Sequence, residues 1–65
     1  MVMKWELCGR WALHHDNITG VSRRVWASHM RRLNLQRHVK EYFCTYFTIN
    51  GLETFHCHED NLTLL

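Results

Sequence analysis

The sequence predicts a small α+β unit: an N-terminal strand, a central helix and a C-terminal antiparallel β-hairpin, built as one domain from residues 1–65. Three observations predict it. Residues 3–13 alternate with a period of two, residues 22–40 space apolar side chains as a helix does, and an aromatic, β-branched run leads into Asn50-Gly51.

Within 1–13, Met3, Trp5, Leu7, Trp11 and Leu13 share one parity, while Lys4, Glu6, Cys8, Arg10 and Ala12 share the other. That alternation fits a half-buried strand, with Gly9 as a bend or bulge on its apolar face. Trp5, Cys8 and Ala12 also lie three and four apart, so a helical N-terminal half is the competing arrangement. Asp16 to Gly20 reads as a turn by its Asp, Asn, Thr and Gly.

Residues 22–40 contain no Gly or Pro and open on Ser22, an N-cap residue type. Trp26, Met30 and Leu33 follow the i, i+4, i+7 spacing of one helical face. Arg24, Arg31 and His38 recur every seven residues, and Val25, Leu35 and Val39 fall on a further side. A helix with two apolar faces is one sandwiched between a sheet and a partner, which makes Trp26, Met30 and Leu33 candidate interface residues. Arg23 and Arg24, at the positive end of the helix dipole, count against it.

Residues 42–49 suit a pleated surface, and Asn50-Gly51 is the strongest short hairpin signal. Residues 42–58 therefore read as a hairpin and 59–65 as a tail. With Asn50-Gly51 at the turn centre, Ile49 faces Leu52, Tyr46 faces Phe55 and Cys44 faces Cys57. Such a non-hydrogen-bonded pair has Cα atoms about 4.5 Å apart, close enough for a possible Cys44–Cys57 disulfide.

Composition bounds the function. The chain is 46% hydrophobic and 12% aromatic, which excludes a disordered tail or flexible linker. Lys4, Glu6 and Arg10 interrupt any signal-peptide core, and no stretch reaches the roughly 20 apolar residues of a membrane helix. Three cysteines, Cys8, Cys44 and Cys57, suggest reduced thiols in an intracellular, cytoplasmic setting. On this reading the sequons at Asn17 and Asn61 are chance matches.

The net charge of +2 is unevenly spread. Residues 17–40 hold Arg23, Arg24, Arg31, Arg32, Arg37 and Lys40 with no acid, and residues 41–65 hold Glu41, Glu53, Glu59 and Asp60 with no base. The basic run is a candidate surface for an anionic partner, and its predominance of Arg suits bidentate recognition. The alternative is that it pairs with the acidic tail inside the fold.

His56 and His58, on one face of a strand about 6.5–7 Å apart, are candidate metal ligands. Cys57 points the other way, and no zinc-finger spacing supports them, so no metal is assigned. No cofactor motif and no catalytic constellation appear, and a chain this short struggles to enclose a pocket; no enzyme is expected. The function expected is that of a small interaction protein, an accessory subunit or inhibitor docking on a larger protein or self-associating. The alternative is an RNA- or DNA-contacting protein of a ribonucleoprotein assembly, using the basic 23–40 segment.

Overall fold

The computed structural model describes residues 4–34 and 39–65. Arg37, together with Met3, Leu35 and His38, lies outside the described residues. The elements run β1 (Glu6–His15), β2 (Ser22–Asn34), β3 (Val39–Thr48), β4 (Gly51–His58), a one-turn 3-10 helix (Glu59–Asn61) and β5 (Leu62–Leu64). They form one antiparallel five-stranded sheet in the order β4-β3-β2-β1-β5. The fold is all-β, not α+β: of the expected central helix over 22–40, Ser22–Asn34 form strand β2 at the middle of the sheet, residues 39–40 open β3, and residues 35–38 lie outside the described residues.

Tertiary context decides that outcome. β2 is flanked on both sides, with Trp26 opposite Trp11 of β1 and Thr45 of β3, so its backbone groups are satisfied by two neighbours. An isolated helix of this length and mixed composition offers no comparable stabilisation. Ser28 explains why the sequence looked helical. Ala27 pairs with Cys44 and His29 with Phe43, so Ser28 is an extra residue at which the in–out alternation reverses. A period-two pattern with one insertion puts residues seven apart on one face, as a helix does. Arg24 and Arg31 share a face for that reason, whereas Trp26 and Met30 of the expected helical stripe lie on opposite faces.

Strand β1 is found where alternation placed it, and the irregularity at Gly9 is present: the register shifts between Leu7 and Arg10, and Gly9 has φ +60°. Its buried face is the reverse of the one expected. Ala12 is fully buried, while Leu7 is 83% and Trp11 51% exposed. Curvature supplies the reason. The rings of His14 in β1 and Phe55 in β4 meet at 4.8 Å although two strands separate them, so the sheet curls tightly toward one face. The concave side has room for small residues, and its buried set is Ala12, Val25, Ala27, Tyr42, Cys44 and Cys57.

The C-terminal hairpin forms, but its turn is one residue earlier than expected. Ile49 and Asn50 make the turn, Thr48 closes it against Gly51, and Gly51 takes φ +112° as the first residue of β4. The Thr48 hydroxyl fixes this position: it accepts from the Asn50 amide at 3.1 Å and donates to the Gly51 carbonyl at 3.3 Å. Tyr46 therefore faces Glu53, Cys44 faces Phe55 and Cys57 faces Tyr42, so the direct Cys44–Cys57 pairing is not formed. The shift is even, so both thiols still point to the core, as free diagonal neighbours.

Residues 59–65, read as a tail, close the sheet's other side. Leu62, Thr63 and Leu64 pair with His14, Leu13 and Ala12, and Leu62 and Leu64 pack on the core. Arg10 donates to the Leu65 carbonyl at 2.8 Å. Among the described residues no helix is long and apolar enough to cross a membrane.

Candidate interaction face

The convex side of the sheet gathers most of the large apolar side chains. Leu7 and Trp11 from β1, Trp26 from β2, Phe43 and Phe47 from β3, and Leu52 from β4 are brought there by the strand alternation, and Trp5, just ahead of β1, joins them through its contacts with Phe43 and His56. Trp11 and Trp26 sit opposite each other in an edge-to-face pair with centroids 5.1 Å apart, and remain 51% and 37% exposed. Such pairs contribute about 0.5–1.5 kcal/mol beyond area burial. The Arg24 guanidinium lies 5.7 Å from the Trp11 ring.

A second cluster lies toward β4. Trp5 meets Phe43 at 6.0 Å and His56 at 5.3 Å, both edge-on, and a cavity of about 310 Å³ opens between Trp5, His29 and Phe43. Arg31 stacks 4.6 Å from the Trp5 ring and donates to Glu41 at 2.9 and 3.0 Å. His56 Nδ1 stands 3.5 Å from the same Glu41 oxygen.

The sequence-predicted basic residues do not form one surface. Arg24 and Arg31 share the convex face, and Arg31 is matched by Glu41. Arg23 belongs to the concave side, 4.6 Å over the Tyr46 ring, at the mouth of an open cavity of about 330 Å³ that His14, Asp16 and Phe55 also line. Arg32 and Lys40 are directly opposite across β2 and β3, a like-charge pair that costs stability unless an anion or solvent screens it. The acidic residues pair only partly with this run: Glu53 accepts from the Tyr46 hydroxyl at 2.9 Å, and Asp60 lies 3.4 Å from His58.

Of the expected interface trio, Trp26 is on the convex face and Leu33 is 46% exposed, but Met30 packs against the core. His56 and His58 lie on one face of β4, but their ring nitrogens are turned to different partners: His56 Nδ1 stands 3.5 Å from Glu41, and His58 Nδ1 accepts from the Asp60 amide at 3.3 Å, capping the 3-10 turn. Among the described residues no group of three His, Cys, Asp or Glu is placed to hold a metal ion. Burial pushes the Cys44 thiol up to about 12, with Cys57 and Cys8 adding to it, and burial also raises Cys57. Thiols held protonated in this way are poor nucleophiles and poor ligands.

Alternation groups Trp5, Leu7 and Trp11 as the apolar face of a half-buried strand; in the structure Leu7 and Trp11 of that face are exposed, with Phe43 and Leu52 on the same side of the sheet. The available signal was Ala12, Ala27 and Cys44 on the opposite parity, small residues suited to a tightly curled interior. Compared with protein-family models, with curated proteins and with solved structures, the chain shows no significant match.

Proposed function

We propose that this chain is a non-enzymatic interaction module, of the accessory-subunit or inhibitor kind, that docks on a larger protein through the convex face of its sheet. One observation carries this reading: apolar burial is inverted, with Leu7, Trp11, Trp26, Phe47 and Leu52 exposed while mainly small residues fill the concave core. Half-exposed Trp rings beside Arg are the composition of interface hot spots. Covering the exposed part of each ring contributes about 1 kcal/mol toward the complex, against the entropic cost of association. The partner that fits presents an apolar groove with an acidic rim to meet Arg24.

A photocrosslinking amino acid at position 11 or 26 tests this, with position 18 on the β1–β2 turn as the comparison. The expected result is one protein crosslinked from 11 and 26 but not from 18. Its affinity for the Trp11→Ser, Trp26→Ser chain should fall about 100-fold or more while that chain keeps dispersed amide signals. Undiminished binding by the double variant overturns the reading.

A second reading has its own support. Arg24 and Arg31 both accompany Trp rings on the convex face, an arrangement that also suits single-stranded nucleic acid stacked on aromatic side chains. The Arg31–Glu41 pair and the separation of Arg23 weigh against it. Anisotropy titrations of labelled single-stranded RNA over a salt series decide the matter. Binding with a log–log slope of about −2 or steeper, lost in Arg24→Glu, replaces the protein-docking reading; no binding at low salt removes the nucleic-acid one.

A further inference from the structure

The sheet ends on two unlike edges. On one side β5 is only three residues long and is preceded by the 3-10 turn. On the other, β4 runs for eight residues without a Pro, Lys or Arg and without a register break against β3. Edge strands usually carry such devices because bare N–H and C=O groups recruit other strands. Among the described residues no strand pairs with the outer side of β4; at its end the His58 carbonyl accepts from the Cys57 thiol at 3.3 Å.

The hairpin fixes which groups face outward. In a two-residue turn the closing pair, here Thr48 and Gly51, is hydrogen-bonded, and the bonding alternates from there. Gly51, Glu53, Phe55 and Cys57 therefore direct their backbone groups at β3. Leu52, Thr54, His56 and His58 direct theirs at the open edge, a row without Asp, Glu, Lys or Arg. The acidic residue of β4, Glu53, is on the opposite face and held by Tyr46.

We propose that β4 is a self-pairing edge, to which a second copy of this chain adds its own β4, antiparallel, about a two-fold axis through Phe55. In that register Leu52 faces His58 of the second copy and Thr54 faces its His56, so all four outward residues pair. Moving the axis by one residue either way leaves at least one of them without a strand partner. The edge thus specifies its own register. It is also self-complementary: no like charges meet in the outward row, and the two Phe55 rings come together on the concave side, a favourable cross-strand aromatic pair. Both β4 edges are used up, so the assembly closes at two copies, and the two convex faces become one continuous surface.

Sedimentation equilibrium of the full chain over a concentration series tests the proposal. A seam of one strand pair is smaller than a standard interface, so a monomer–dimer equilibrium in the tens-of-micromolar range is expected. Thr54→Pro removes an N–H that serves only the open edge, and Thr54→Lys adds a charge to the seam. Both variants should keep dispersed β-sheet amide signals and associate at least tenfold more weakly, whereas Phe55→Pro, which deletes a ladder bond to β3, should unfold the hairpin. A chain monomeric up to about 1 mM overturns the proposal. So does a folded Phe55→Pro chain, or a dimer that survives Thr54→Lys and is lost in Trp11→Ser, since that one is joined through the convex face.

Discussion

At the scale of single residues, the cysteines show how position overrides chemistry. Cys44 is fully buried among Ala27, Tyr42 and Cys57, and burial lifts its thiol from an ordinary value near 9 to about 12. The consequence for stability has a definite sign. A folded-state value above the unfolded one leaves stability intact below pH 9 and removes it as pH rises from 9 toward 12, because only the unfolded chain can release the proton cheaply. Cys57 and, at higher pH, Tyr42 shift in the same direction through burial. At about 1.4 kcal/mol for each pH unit above 9, Cys44 alone accounts for a loss of about 3 kcal/mol by pH 11, a large fraction of the stability of a small domain. Thermal melts between pH 8 and 11 should therefore fall steeply in the native chain and less so in Cys44→Ala. Equal slopes for the two would remove Cys44 as the source.

At the scale of elements, legibility in the sequence followed the locality of the signal. The alternation in β1, the irregularity at Gly9 and the existence of the β3–β4 hairpin rest on neighbouring residues, and each is found. The turn slipped by one residue because a side chain, the Thr48 hydroxyl, competed with the backbone preference of Asn50-Gly51. β2 was misread because a one-residue bulge at Ser28 and a helical heptad leave the same mark on a sequence. Only the pairing with β1 and β3 distinguishes them, and that is non-local information. β5 escaped notice for a related reason: Leu62-Thr63-Leu64 is too short to register until β1 provides an edge for it. The candidate face suffered the same blindness, since Trp5, Leu7 and Trp11 were grouped by alternation but which side of a sheet is concave is not written in any one strand.

At the scale of the whole molecule, a single curled layer has to choose which side to fill. The molecule extends 38 × 22 × 19 Å with a radius of gyration of 12.1 Å, above the roughly 10.7 Å of a compact chain this long. No second layer covers the convex face among the described residues, and the concave face closes over a centre of mostly small residues, Ala12, Val25, Ala27, Cys44 and Cys57 with Tyr42, against which Met30, Tyr46, Phe55, Leu62 and Leu64 pack. The two faces should therefore answer oppositely to the same change in side-chain volume. Ala27→Leu forces extra methyl groups into a site with no exposure and should cost about 1–3 kcal/mol or unfold a chain this small. Trp26→Leu, which gives up the edge-to-face pair with Trp11 but leaves no closed cavity, should cost about 1–2 kcal/mol and keep the chain folded while weakening any complex made through that face. Urea titrations of the two variants measure the difference directly. If Ala27→Leu were tolerated and Trp26→Leu unfolded the chain, the convex aromatics would be the true core, and the docking surface would have to be sought on the concave side around Arg23 and Tyr46.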